Sequence, residues 1–180
     1  MKTLALILVV ITLTFILIGC FKKMSSAPST SWRKHTETKS GYFFEYPSSW
    51  SAEAVPNMNG LLVMCPVVEA DWQANVFFEL RMDPDNRSVS KVLEDLIPNL
   101  AKQKTGFKLV TSSVTTHSSG LQSGRIEYTH NSNGTELNDC ETIILLEKGN
   151  LLFVLTSTAS SVKRKYQPTL QKIVDSVARL

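Results

Sequence analysis

Of the residues in this chain that could do chemistry, Cys65 and Cys140 stand out first, as a pair that an oxidising compartment could bridge. A bridge across their 75-residue separation would constrain the unfolded chain by about 4 kcal/mol. Both cysteines lie in strand-like stretches where a buried free thiol is equally ordinary, and neither has the C-x-x-C spacing or adjacent base of a reactive thiol. His117 and His130 flank one strand-like region and could face each other across neighbouring strands. A metal would need a third ligand such as Glu127, but strand alternation turns Glu127 away from His130, so both histidines are expected to be solvent-exposed or capping. Ser123, within Gly120-Leu121-Gln122-Ser123-Gly124, misses the G-x-S-x-G elbow spacing and reads as part of a turn. The acids Glu94, Asp95, Glu127, Glu136, Asp139 and Glu141 are scattered and read as solvated faces, and no glycine-rich loop is spaced to cradle a phosphate. The expectation is a chain with no catalytic, metal or cofactor residue, not an enzyme.

The aromatic residues Phe43, Tyr46, Trp50, Trp72, Phe77 and Phe78 either fill a core or line a small groove for an apolar ligand or peptide. Trp72 differs from the others because it sits in the polar segment from Glu69 to Gln73, where an exposed loop tryptophan would anchor a partner.

Cys20 belongs to a different context. It follows an unbroken stretch from Leu4 to Ile18 that is apolar except for Thr12 and Thr14, behind Lys2. That length suits a signal peptide better than a full bilayer span. The sequence Leu17-Ile18-Gly19-Cys20 resembles the lipobox of bacterial lipoproteins. The resemblance implies a signal peptide over residues 1–19 and acylation of Cys20, each buried methylene contributing roughly 0.8 kcal/mol to membrane attachment. An uncleaved anchor from Leu4 to Phe21 is the alternative, and an incidental buried segment a third.

Residues 20–40 then read as a lipidated cysteine followed by a flexible basic linker. Lys22, Lys23, Arg33, Lys34 and Lys39 face only Glu37 there, among Ser, Thr and Pro. With the linker and Lys2 set aside, the formal +3 of the chain becomes −2 over residues 41–180. No argument for a nucleic-acid partner survives, because the basic excess belongs to the tether, which could touch anionic headgroups. At 43% apolar and 19% charged residues, the composition also excludes a disordered, collagenous or multi-span membrane protein.

Residues 41–180 must supply any scaffold. Gly41 to Pro47 reads as an aromatic first strand, Trp50 to Val55 as a short second one, and Leu61 to Val68 and Asn75 to Met82 as two more around a turn at Glu69-Ala70-Asp71. Val89, Val92, Leu93, Leu96, Ile97 and Leu100 recur at steps of three and four, the stripe of an amphipathic helix capped by Ser88 or Ser90 and kinked at Pro98. Four strands follow: Phe107 to Thr115, Gly124 to His130, Leu137 to Glu147 and Leu151 to Thr156, with Asn131 to Gly134 as a tight turn. Ile143 to Leu146 and Leu151 to Leu155 are apolar at every position, as strands covered on both faces are. Val162, Tyr166, Leu170, Ile173, Val174 and Val177 mark a second helix, capped by Ser160 or Ser161 and interrupted by Pro168. The fold class is α+β, an antiparallel sheet of about seven strands sandwiched by helices.

Phe44, Tyr46, Pro47 and Trp50, then Gly124-Arg125-Ile126-Glu127-Tyr128, then Tyr166 through Leu170 to Ile173-Val174-Asp175-Ser176-Val177 resemble the PsbP/Mog-type superfamily, which includes bacterial DcrB-like envelope lipoproteins. The resemblance spans nearly all of residues 41–180. It implies a non-enzymatic domain that docks to other proteins, carried here on a membrane lipid and engaging an envelope protein. Phe21 after the lipidated cysteine implies the periplasmic face of the outer membrane where the organism has one. A binding module for a lipid or other apolar molecule is the alternative.

Overall fold

The computed structural model describes residues 31–180 except 57 and 148, so the leader and Cys20 lie outside the described residues. Among the described residues ten strands and two helices follow one another: β1 (Trp32–Glu37), β2 (Tyr42–Pro47), β3 (Ser51–Ala54), β4 (Gly60–Glu69), β5 (Trp72–Met82), α1 (Val89–Gln103), β6 (Lys108–Thr116), β7 (Gln122–Ser132), β8 (Thr135–Glu147), β9 (Asn150–Ala159), α2 (Lys163–Asp175) and β10 (Ala178–Arg179). Seven strands pair antiparallel in the order β3-β4-β5-β9-β8-β7-β6, and β1-β2-β10 form a small second sheet.

The alternation of side chains along each strand divides the core in two. On one face of the large sheet, Val63, Cys65, Val76, Phe78, Ile144, Leu146, Leu152 and Val154 pack against α2 and the small sheet. From α2 come Tyr166, Leu170, Ile173 and Val174, and from the small sheet Tyr42, Phe44 and Tyr46, with Phe44 stacked on Phe78 at 3.9 Å between centroids. On the other face Ile126, Tyr128, Ile143, Leu151 and Phe153 receive Val89, Val92, Leu93 and Leu100 of α1. Leu151 to Val154 and Ile143 to Leu146 serve both layers, which is why their sequence is apolar without alternation.

Local chemistry sets the element ends. Ser88 caps α1, its hydroxyl accepting from the Lys91 amide at 3.2 Å. Pro98 falls inside α1 without ending it. At α2 the structure corrects the expected cap. Ser160 and Ser161 form a short 3₁₀ turn with Val162, and Val162 occupies the cap position with no side-chain bond. Asn133 and Gly134 both take positive φ and join β7 to β8, the two-residue turn that twisted hairpins favour.

One further expectation is corrected, and of the two states left open for the cysteines one is seen. Residues 32–37 are a strand rather than linker: β1 pairs with β2 from Trp32 opposite Pro47 to Glu37 opposite Tyr42. Its basic residues stay exposed at the rim while Trp32 packs against the core, with Lys172 4.1 Å over its ring. Cys65 and Cys140 are both buried and free. They lie on β4 and β8, with β5 and β9 between them, a separation of roughly 14 Å that no disulfide spans. Burial also pushes the Cys140 thiol up to about 11.

Candidate functional site

Helix α1 rests on β6, β7, β8 and the start of β9, and leaves the same face of β4, β5 and the later part of β9 less covered. The pairing registers place Leu62, Phe77, Leu155, Glu141 and Ile126 in one row across that face, because cross-strand partners point to the same side. The neighbouring row is Met64, Asn75, Ser157, Asp139 and Tyr128. Where α1 stops, these rows open into a cleft of about 410 Å³, walled by Phe77, Phe153, Leu155, Leu96 and Leu100.

The floor of the cleft is acidic. Glu141 is only 6% exposed, and none of the described residues hydrogen-bonds its carboxylate. Burial pushes this carboxyl from 4.5 up to about 7; Arg81 and Lys104 oppose the shift, while Asp139 and Glu79 add to it. Beside it, the Nε2–H of His130 donates to Asp139 Oδ2 at 2.9 Å, with both side chains buried. The other Asp139 oxygen and the Tyr128 hydroxyl are buried without closing a hydrogen bond. Burial, and then the negative charge of Asp139 and Glu141, pushes the Tyr128 phenol far up, so it stays protonated as a donor. At the rim, the Arg81 guanidinium lies 4.1 Å over the Phe153 ring and binds Glu79 through Nη2 at 2.6 Å and Nε at 2.9 Å.

On the opposite face, polar groups hold α2 in place. Lys163 and Asn138 donate to Glu127, and Arg125 donates to Gln171 at 2.6 Å. Burial alone would raise the Glu127 carboxyl, but the Lys163 ammonium wins and holds it below its usual range. The Ser119 amide donates to His117 Nδ1 at 3.2 Å, which places the ring proton on Nε2, where it donates to the Val174 carbonyl at 3.0 Å. His117 thus ties the C-terminal end of α2 to the loop after β6.

The structure relocates several expected residues. His117 and His130 are buried rather than exposed and serve opposite faces of the sheet; His117 takes the capping role that was the other expectation, on the Val174 carbonyl at the end of α2. Glu127 does face away from His130, and the described residues hold no cluster of three or more His, Cys, Asp or Glu arranged for a metal. Ser123 is buried against Thr115, its hydroxyl 3.1 Å from Thr115 Oγ1, with no base beside it. Trp72 is not the exposed loop anchor expected. The turn before it is only Ala70-Asp71, so Trp72 opens β5 opposite Glu69, half-buried, with its indole N–H buried and unpaired. Of the six aromatics read as core filling or a groove, Phe77 alone lines the cleft, while Tyr46, Trp50 and Phe78 are core on the other face.

Glu141 and Asp139 were readable only as scattered acids. The available signal is that they occupy the same alternation as Leu137, Ile143 and Leu145 in β8, charges on an otherwise apolar strand face.

Comparison with known proteins places this geometry. The solution structure of cyanobacterial PsbP from Synechocystis sp. PCC 6803 superposes with a TM-score of 0.64 at 15% identity, over 87% of this chain and 96% of that one. LpqN of Mycobacterium tuberculosis, described as involved in cell envelope biogenesis, gives 0.58 at 12% identity over 86% of each chain. The Saccharomyces cerevisiae Ran-binding protein Mog1p gives 0.58 at 8% identity, over 83% of this chain and 95% of that one. At these identities the likeness is one of fold. A comparison with curated protein sequences finds no match. The family model for PsbP, however, matches residues 30–178, reaching from just before β1 into β10, and the chain belongs to the PsbP family.

Proposed function

We propose that this protein is an extracytoplasmic lipoprotein, tethered through Cys20, whose PsbP-type domain is a non-enzymatic docking module for another protein of the cell envelope. The observation that carries the docking role is the half-covered sheet face. Leu62, Phe77 and Leu155 remain only partly buried beside a cleft open to solvent, an arrangement that suits an element supplied from outside. The tether reading rests on Leu17-Ile18-Gly19-Cys20 behind its apolar stretch. The eleven residues from 21 to 31 can extend at most about 35–40 Å, enough for the domain to reach partners near a membrane surface.

Photo-crosslinking residues placed at Asn99 and Gln103, on the cleft rim, test the docking role in the native cells. The expected result is one discrete adduct from both positions that is absent from a probe at Glu53 on the far edge. Equal, diffuse labelling from all three would refute it. Binding of an apolar small molecule is the second reading, favoured by the cleft volume. It predicts a co-purifying molecule visible by native mass spectrometry.

A further inference from the structure

Two acids beside Glu141 on the α1 face, the buried Asp139 and the part-buried Glu79, have hydrogen-bond partners. Asp139 holds His130, and Glu79 holds Arg81. At the far end of α1 a second cleft of about 350 Å³ also contains a buried acid, but Asp83 there binds the Arg87 amide at 2.7 Å and its guanidinium at 3.0 Å. Glu141 has no such partner and lines the larger cleft. A buried carboxylate without a partner costs stability. Such a group on a cleft floor is the pattern of a site whose counter-charge comes from a ligand.

The walls narrow the ligand further. Phe77, Leu155 and Leu96 are apolar, so the ligand carries an aliphatic stem behind its charged head. Arg81, its guanidinium carbon 4.1 Å over the Phe153 ring, shows that this wall accepts a guanidinium. The groups facing Glu141 are Arg81 and Glu79 from β5, Lys104 after α1, Asp139 from β8 and Tyr128 from β7. Arg81 is committed to Glu79 and His130 to Asp139, so neither closes an ion pair with Glu141. We propose that the cleft receives one arginine side chain of the docking partner, its guanidinium on the Glu141 carboxylate and its stem between Phe77, Leu155 and Leu96. This assignment deepens the docking reading and rests on it.

The test is a titration of the isotope-labelled full chain, in detergent micelles, with the peptide acetyl-Leu-Arg-Leu-amide, followed by backbone NMR shifts. Saturable shifts are expected at Phe77, Glu141, Leu155 and the last turn of α1. The dissociation constant should rise tenfold or more in Glu141→Gln, and by a similar factor in the wild type when the pH falls from 8 to 5.5, because a protonated carboxyl cannot pair. The citrulline analogue of the peptide should not saturate. Asn99→Trp, an exposed change that covers the mouth, should block binding and keeps the test decisive if Glu141→Gln does not fold. Absence of saturable shifts, or equal binding by the citrulline peptide, overturns the assignment, as does unchanged affinity in the variants. If the rim crosslinks to one protein while the peptide leaves the spectrum unmoved, docking stands and the arginine assignment falls. If the peptide binds but no rim adduct forms, the cation site stands and protein docking falls.

Discussion

At the residue scale, the carboxyl of Glu141 sets the pH response of stability on the α1 face. Its folded value of about 7 lies above its ordinary 4.5, so between those values the folded state holds the proton more tightly than the unfolded one. Stability from this group is therefore fully present below about 4.5, declines as pH rises toward 7, and stays reduced above it, by about 3 kcal/mol at most. Glu141→Gln should recover much of that loss at pH 8 and little at pH 5, as read from urea unfolding at both values. Glu127 acts in the opposite sense. Its depressed carboxyl contributes stability above its ordinary value that is lost as pH falls through its folded value. Gly124 makes a second residue-scale case. A Cβ there would lie 2.6 Å from Val89 Cγ1 and 2.8 Å from Leu93 Cδ1, inside the seat of α1 on β7. Gly124→Ala should therefore cost about 1–3 kcal/mol in chemical denaturation, with no change at the cleft floor.

At the element scale, the two tight hairpins differ in how well their residues suit them. Asn133-Gly134 matches its positive-φ turn, whereas Ala70 at 52° and Asp71 at 58° hold left-handed conformations that alanine in particular disfavours. Replacing Ala70-Asp71 by Asn-Gly should raise stability by about 1 kcal/mol, measured as a shift of the urea midpoint at constant slope. The same contrast explains what could be read in advance. The β7–β8 hairpin, the α1 stripe and the doubly covered strands β8 and β9 announce themselves through turn chemistry and periodicity, and all appear where expected. β1 does not, because an edge strand exposing Arg33 and Lys34 has the composition of a linker, and its apolar contact reduces largely to Trp32. β10 is two residues long and pairs only with β2. The cleft was hidden for a topological reason. Glu141 meets Leu155 and Phe77 only because β9 inserts between β5 and β8, a long-range order that no local pattern encodes. The open edge β6 carries its own consequence. Leu109, Val110 and Val114 are exposed on this edge strand, so Val114→Lys should slow aggregation of the partly unfolded protein in a light-scattering assay and leave the unfolding midpoint nearly unchanged.

At the scale of the whole molecule, where the folded body begins fixes how much of the chain precedes it. The small sheet closes the α2 layer: Phe44 stacks on Phe78 of the large sheet, and β10 returns from α2 to pair with β2. β1 covers the other edge of β2, with His35 5.1 Å from the Phe44 ring, Lys34 3.5 Å over Phe43, and Lys172 of α2 over Trp32. Removing β1 would leave the outer edge of β2 unpaired and uncover Trp32's site beside α2, in a sheet of only three short strands. A body beginning at residue 41 should therefore unfold at a lower temperature than one beginning at residue 31, by several degrees, equivalent to about 2 kcal/mol or more. The loss should appear first in hydrogen exchange of the β2 amides, with β7, β8 and β9 protected as before. Equal melting of the two bodies would mean that β1 is an ornament of the fold. The folded body would then start at β2, and the residues of β1 would belong with the chain that precedes it.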